Sequence, residues 1–272
     1  MIQWYPGHMA KTRHKIAEQL AWMDAVLELA DARAPASSRS PLLNGLLRDR
    51  PRLLILNKAD LADLRRLRSW TTGLGGDYPV LETSAATGQG IGRIVPALDK
   101  LAGARRARDA ARGLRARPLR VMVVGIPNIG KSSLINRLTG GAPAKTGAKP
   151  GVTRGAQWIR LHERLELLDT PGVLWPKFED GETARKLAAT GAIRDEVFDL
   201  EELAEWLLRF LRQNYGETLR TCYNTATDEV TLEDVGRRRG RLGRGGEVDA
   251  LRAAQVLLKE FRAGKIGRVT LD

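Results

Sequence analysis

Short apolar runs separated by amphipathic stretches set the rhythm of the first two-thirds of the chain. Residues 25–30, 53–56 and 79–82 each carry a run short enough to be one strand, and helical stretches lie between them. Pro35 and the serines at 37, 38 and 40 mark a loop after the first run. A fourth run at 119–124 is followed by a pair, 157–161 and 165–168, spaced as a hairpin. Strands alternating with helices predict an α/β domain, a parallel sheet covered on its faces. Ahead of it, residues 8–22 read as a basic helix. After about residue 190 the period becomes helical: Leu200, Leu203, Leu207 and Phe210 share a face, with Asp199 placed to cap and Glu202 three residues on. Val248, Leu251, Ala254, Leu258 and Phe261 are expected to share a face of a later helix, and a glycine–arginine loop, 236–246, separates the two.

The predicted organisation is one α/β domain over 1–190 and a small all-α domain over 191–272. The larger domain divides into the basic helix, a first half at 24–102, an arginine-rich connector at 103–118, and a second half at 119–190. A chain of 272 residues is long enough to bury a core in each domain. No apolar run approaches the ~20 residues of a membrane span, and the N-terminus lacks the apolar region of a signal peptide. One cysteine, Cys222, allows no internal disulfide and suggests no zinc site. A cytoplasmic monomer is expected. The net charge of +13 attracts polyanions, nucleic acid first and anionic membrane second. Met1-Ile2 excludes N-myristoylation, so no membrane partner is expected.

Two stretches carry the chemistry. Gly125-Ile126-Pro127-Asn128-Ile129-Gly130-Lys131-Ser132 follows a strand and opens a helix, the context of a phosphate-binding P-loop. Its glycines let backbone N–H groups, including those of Asn128, Ile129 and Gly130, curl around phosphate. Lys131 reaches the β- and γ-phosphates, the Ser132 hydroxyl ligates Mg²⁺, and Ser133 lies close by. Asp169-Thr170-Pro171-Gly172 ends a strand about thirty-five residues on; Asp169 is the Mg²⁺-side carboxylate and the Gly172 N–H the γ-phosphate contact. Thr153, between the two, is the choice for the threonine that joins Mg²⁺ when the γ-phosphate is present. Asn57-Lys58-Ala59-Asp60 is the guanine-reading box: Asp60 accepts two hydrogen bonds from guanine that adenine cannot supply, Asn57 braces the loop, and the Lys58 stem covers the base. Ser84-Ala85 supplies a backbone N–H for guanine O6. GTP and GDP are the expected ligands.

The order of these motifs is unusual, because the base-reading box precedes the P-loop. The fold class is therefore a Ras-like P-loop GTPase domain with circularly permuted motif order. The place of the water-orienting glutamine holds Val173, which cannot polarise water, so unaided turnover is expected to be slow and a partner to accelerate it. His8 is a candidate for the missing role. Asn128 is a candidate K⁺ ligand, with K⁺ expected to stimulate over Na⁺. The segment after Gly172 runs directly into the helical domain, a mechanical route for a nucleotide switch. RNA-binding candidates are Lys11, Arg13 and Lys15 of the basic helix and Arg237, Arg238, Arg239, Arg241 and Arg244 of the glycine–arginine loop.

Taken together, the 4–11 run with its histidine, Asp31-Ala32-Arg33, the base-reading box, the Pro-Asn-containing P-loop, 150–153, 169–172 and Gly264-Lys265-Ile266-Gly267 resemble the ribosome-biogenesis GTPase A family, circularly permuted GTPases of the YlqF type. The resemblance covers nearly the whole chain. It implies GTP hydrolysis during late assembly of the large (50S) ribosomal subunit, through contact with its rRNA, and it matches Val173. Ser40 departs from the asparagine usual there. The competing expectations are a GTP-dependent RNA-binding scaffold that scarcely hydrolyses and a GTPase acting on the small subunit.

Overall fold

The computed structural model describes residues 14, 16–47, 50–76, 78–113, 117–140, 157–162, 165–170, 180–225 and 229–272. Among the described residues six strands form one sheet in the order β3-β2-β1-β4-β6-β5. They are β1 (Ala25–Asp31), β2 (Arg52–Asn57), β3 (Val80–Glu82), β4 (Leu119–Val124), β5 (Gln157–His162) and β6 (Leu165–Asp169). All neighbours pair in parallel except β5 with β6. Helices cover the sheet on both faces, which is why β1 and β2 are buried at every position and read as continuous apolar runs. Glu28 interrupts the run in β1. It is buried and tolerated because Arg39 and Arg52 both engage its carboxylate, at 3.1 Å each.

The connections explain the unusual motif order. From β1 the chain moves outward through β2 to β3, then crosses back to place β4 on the other side of β1. The reversal of direction falls between β1 and β4. In open α/β sheets ligands bind outside the carboxyl ends of the strands at such a point. Asp31 pairs in register with Asn57, and Val123 with Asp169, so the ends of β1, β2, β4 and β6 open on the same edge.

Helices α1 (Pro41–Leu46), α2 (Leu64–Leu74), α3 (Ile94–Ala111) and α4 (Lys131–Leu138) belong to the sheet domain. The arginine-rich connector is a correction to the sequence reading: its first part, to Ala111, continues α3, because alanine and arginine are strong helix formers. Its arginines are also partly neutralised. Arg106 pairs with Asp99 at 2.7 Å, and Arg117 makes a two-pronged contact with buried Asp24 at 2.8 Å.

The helical unit comprises α5 (Gly181–Ala189), α6 (Leu200–Tyr223), α7 (Leu232–Arg238) and α8 (Ala250–Arg262). Asp199 caps α6 as expected, accepting from the N–H groups of Glu201 and Glu202. α5 packs on α6 and α8, so this unit starts before residue 191. Leu251 is a second correction. The buried face of α8 is Ala253, Ala254, Leu257, Leu258 and Phe261, and Leu251 sits roughly 100° round from its middle, exposed. Val248 precedes the helix, in a bridge with Leu242.

One apolar cluster runs from a face of the sheet through α5 into this unit. The last residues then return to the sheet domain. The N–H of Val269 donates to Leu61 O at 3.0 Å, that of Leu271 to Arg33 O at 2.6 Å, and the Asp272 carboxylate accepts from Ala36, Ser37 and Lys186. Among the described residues no helix is long and apolar enough to cross a membrane.

Candidate functional site

Asn57, the last residue of β2, joins the two halves of the site. Its Nδ2 donates to Ile129 O in the P-loop at 2.9 Å, while its Oδ1 accepts from the Ala85 N–H at 3.0 Å and the Thr83 hydroxyl at 3.3 Å. The contact is close enough to dictate sequence: Gly130 has φ +95°, and a Cβ there would collide with the Asn57 amide. Lys58 is left-handed at φ 63°, which throws its side chain back across the loop. Its ammonium donates to Asp31 Oδ2 at 2.9 Å and Asn128 O at 2.8 Å. Next to it, Asp60 Oδ1 is buried with no hydrogen-bond partner. A buried carboxylate oxygen left unsatisfied needs explanation, and a ligand donor supplies one. Of the Ser84-Ala85 pair expected to offer an N–H to guanine O6, the Ala85 N–H is held here by Asn57 and the Ser84 N–H by Gln89 O at 2.9 Å.

On the other side of Gly130 the P-loop closes on itself. Lys131, at the start of α4, is buried and donates to Gly125 O at 3.1 Å and Ile126 O at 2.9 Å. Burial pushes its ammonium down to about 8, with the Asp169 charge opposing. The same burial raises Asp169, which Lys131 partly offsets, and Asp169 Oδ1 has no hydrogen-bond partner. A buried carboxylate oxygen without a partner, beside the hydroxyl-bearing first turn of a P-loop helix, fits a hard cation with oxygen ligands. Ser132 and Asp169 would hold Mg²⁺, which neutralises phosphate charge when bound. Thr170 anchors the end of β6, its hydroxyl donating to Val123 O at 2.7 Å.

Behind these residues lies a polar layer whose roles sequence reasoning missed. Asp31, at the end of β1, accepts from Arg33 Nε at 2.9 Å and Nη2 at 2.8 Å as well as from Lys58. Burial alone would raise this carboxylate; the charges of Arg33 and Lys58 reverse that and hold it well below the usual range. Arg33 is only 1% exposed and reaches past Asp31 into the helical unit. It donates to Thr190 O at 3.3 Å and Arg262 O at 3.4 Å, and its guanidinium lies 5.5 Å from the Phe261 ring. Asn128 donates through Nδ2 to Gly191 O at 2.8 Å. The turn at 190–191, just past α5, is thus held by the P-loop and, through Arg33 and Asp31, by the base loop. The signal in the sequence was an acidic and a basic residue directly after an apolar strand.

Of the RNA candidates, Arg238 and Arg241 are exposed, and Arg237 is exposed but paired with Glu233 at 2.6 Å. Arg239 is a correction: it binds buried Glu260 at 2.7 Å and lies over the Tyr223 ring at 5.0 Å, because a carboxylate buried in α8 requires a partner. Gly236–Arg238 form the end of α7 rather than a loop. His8, Lys11, Arg13, Lys15, Thr153, Gly172 and the Arg244 side chain lie outside the described residues.

Comparisons with known proteins agree with this geometry. A family profile described as "50S ribosome-binding GTPase" matches residues 120–225, from the P-loop strand into the helical unit. The chain is 43% identical to the ribosome biogenesis GTPase A of Bacillus licheniformis, covering all of this chain and 98% of that one. It is 46% identical to the ribosome biogenesis GTPase A of Priestia megaterium, over all of this chain and 96% of the relative. Mouse mitochondrial ribosome-associated GTPase 1 is 38% identical over all of this chain and 90% of its own. Among solved structures, a GDP-bound YlqF superposes with a TM-score of 0.67 at 27% identity, covering 95% of this chain and 98% of that one. The GNP-bound YlqF of T. maritima gives 0.66 at 26% identity, covering 96% and 97%. A base-reading loop and a P-loop joined through one asparagine, in permuted order, on a sheet that this structural family shares, place the chain: it belongs to the ribosome biogenesis GTPase A family and is a GTPase.

Proposed function

We propose that this GTPase is a cytoplasmic assembly factor of the large ribosomal subunit, gripping rRNA in one nucleotide state and releasing it in another during late maturation. The observation that carries the reading is the turn at 190–191. Arg33 and Asn128 hold it from the two halves of the nucleotide site, so what fills that site bears on the position of the helical unit. The names of the full-length relatives and the net charge of +13 support this choice of partner.

In the triphosphate state the Lys131 ammonium donates to the β- and γ-phosphates. Ser132, Thr153 and Asp169 hold Mg²⁺, and the Gly172 N–H reads the γ-phosphate. Guanine sits against Asp60 under the Lys58 stem. With Val173 in the glutamine position, hydrolysis by the free protein is slow and the ribosomal subunit stimulates it; His8 is the residue assigned to the attacking water, and K⁺ beside Asn128 supplies further charge. Phosphate contacts from Lys11, Arg13, Lys15, Arg237, Arg238, Arg241 and Arg244 give rRNA binding that falls steeply with salt. The test is co-sedimentation with isolated subunits under GTP, a non-hydrolysable analogue and GDP. Large subunits pelleting the protein only with the triphosphates is the expected result; indifference to nucleotide defeats the switch, and a preference for small subunits defeats the partner. Single-turnover hydrolysis with and without subunits separates an enzyme that is stimulated from a scaffold that only binds.

A further inference from the structure

At the outer edge of the sheet, away from the base-reading half, two indoles are left largely open. Trp158 on edge strand β5 is 50% exposed, and Trp22, in the turn before β1, is 70% exposed. Both line a surface depression of about 600 Å³ together with Met23, Arg120, Arg160 and Glu166. Strand register explains the arrangement. Arg120, Glu166 and Arg160 pair in one row across β4, β6 and β5, and Met122, Leu168 and Trp158 in the next row. Met122 and Leu168 are covered by Ile16, Leu20 and Met23, whereas Trp158, at the end of its row, is left open.

The charge around these rings selects a partner. The Arg120 guanidinium lies 5.7 Å from the Trp158 ring centroid, and its contact with Glu166 is long, at 3.7 Å. The Arg160 side chain is exposed and makes no ion pair or hydrogen bond among the described residues. An apolar protein face would have to desolvate these guanidinium groups without pairing them. Nucleic acid matches both features: bases have flat faces for the indoles, and phosphates pair with Arg160 and Arg120. In a duplex the base faces are already stacked on one another, so the fit is to unpaired nucleotides.

We propose that Trp22 and Trp158, flanked by Arg120 and Arg160, form a stacking site for unpaired bases of single-stranded RNA. It deepens the rRNA-binding reading above and rests on it for the source of that RNA. The test uses the full-length protein and fluorescence anisotropy with a labelled ten-nucleotide oligo-U, an abasic chain of equal length and a blunt RNA duplex. Trp158→Ala and Trp22→Ala are each expected to weaken oligo-U binding about ten-fold, with little effect on the abasic chain. Trp158→Phe should restore part of the loss. GTP hydrolysis and the thermal midpoint should stay at wild-type values, since neither indole is buried in the core. Equal oligo-U affinity in wild type and the double variant overturns the proposal, as does a wild-type preference for duplex. Loss of subunit co-sedimentation by the double variant without any change in oligo-U binding also overturns it, and assigns the surface to folded rRNA or a protein of the subunit. Subunit binding by a wild type that ignores oligo-U leaves the assembly role standing while this site falls. A site that binds oligo-U through its indoles in a protein that ignores subunits stands without that role.

Discussion

Replacing Arg33 by methionine keeps an unbranched apolar stem but removes the guanidinium from a nearly closed site. Four hydrogen bonds go with it, two to Asp31 and one each to Thr190 O and Arg262 O. Asp31 remains buried with Lys58 as its only cationic partner at 2.9 Å. Breaking a buried pair from one side costs about 3–5 kcal/mol, and the surviving lysine puts this case near 3. For a domain of this size that lowers the unfolding midpoint by about 6–12 °C. The assay is thermal and urea unfolding at neutral pH, repeated with Asp31→Asn and the double variant to extract the coupling. The pH dependence has a definite sign. Asp31 is depressed in the folded state, so its stabilisation is complete above the ordinary carboxylate range, about pH 4, and is lost as pH falls through its folded value. In Arg33→Met the folded value rises, so acid unfolding moves to higher pH. A variant within 0.5 kcal/mol of wild type, or a coupling near zero, refutes the view that Arg33 and Asp31 act as one buried unit between base loop and helical unit.

Asn57→Ala leaves Ile129 O and the Ala85 N–H without their partner. At about 1–3 kcal/mol for each stranded group, GDP affinity measured by calorimetry should drop at least ten-fold. Lys131 is held at about 8 by burial, and phosphate binding favours its charged form. GDP affinity should therefore be level below pH 8 and weaken as pH rises, approaching ten-fold per unit, with proton uptake visible in buffers of different ionisation enthalpy; a flat profile to pH 9.5 removes the assignment. Hydrolysis in K⁺ should exceed that in Na⁺ at fixed ionic strength, and equal rates exclude the cation at Asn128.

The sheet and the nucleotide motifs were legible because each is written locally. A strand buried on both faces must be apolar throughout, as 53–56 is, and a P-loop needs glycine where the backbone turns, as at Gly130. What escaped the sequence is polar and long-range. Nothing adjacent to Arg33 marks its partners at Thr190 and Arg262, and nothing near Asp272 points to Ser37. Arg239 looked like one of a run of surface arginines until Glu260, on another helix, claimed it. The α3 extension was hidden for a different reason: arginine and alanine suit an exposed helix as well as a basic linker, and composition does not separate them.

A crystal of the GDP·Mg²⁺ complex addresses the central claim directly, that residues before and after the permutation point share one ligand. The guanine edge should lie within hydrogen-bond distance of Asp60, and Lys131 Nζ should donate to the β-phosphate. A nucleotide bound with its base away from Asp60, or with its β-phosphate out of reach of Lys131 Nζ, contradicts it.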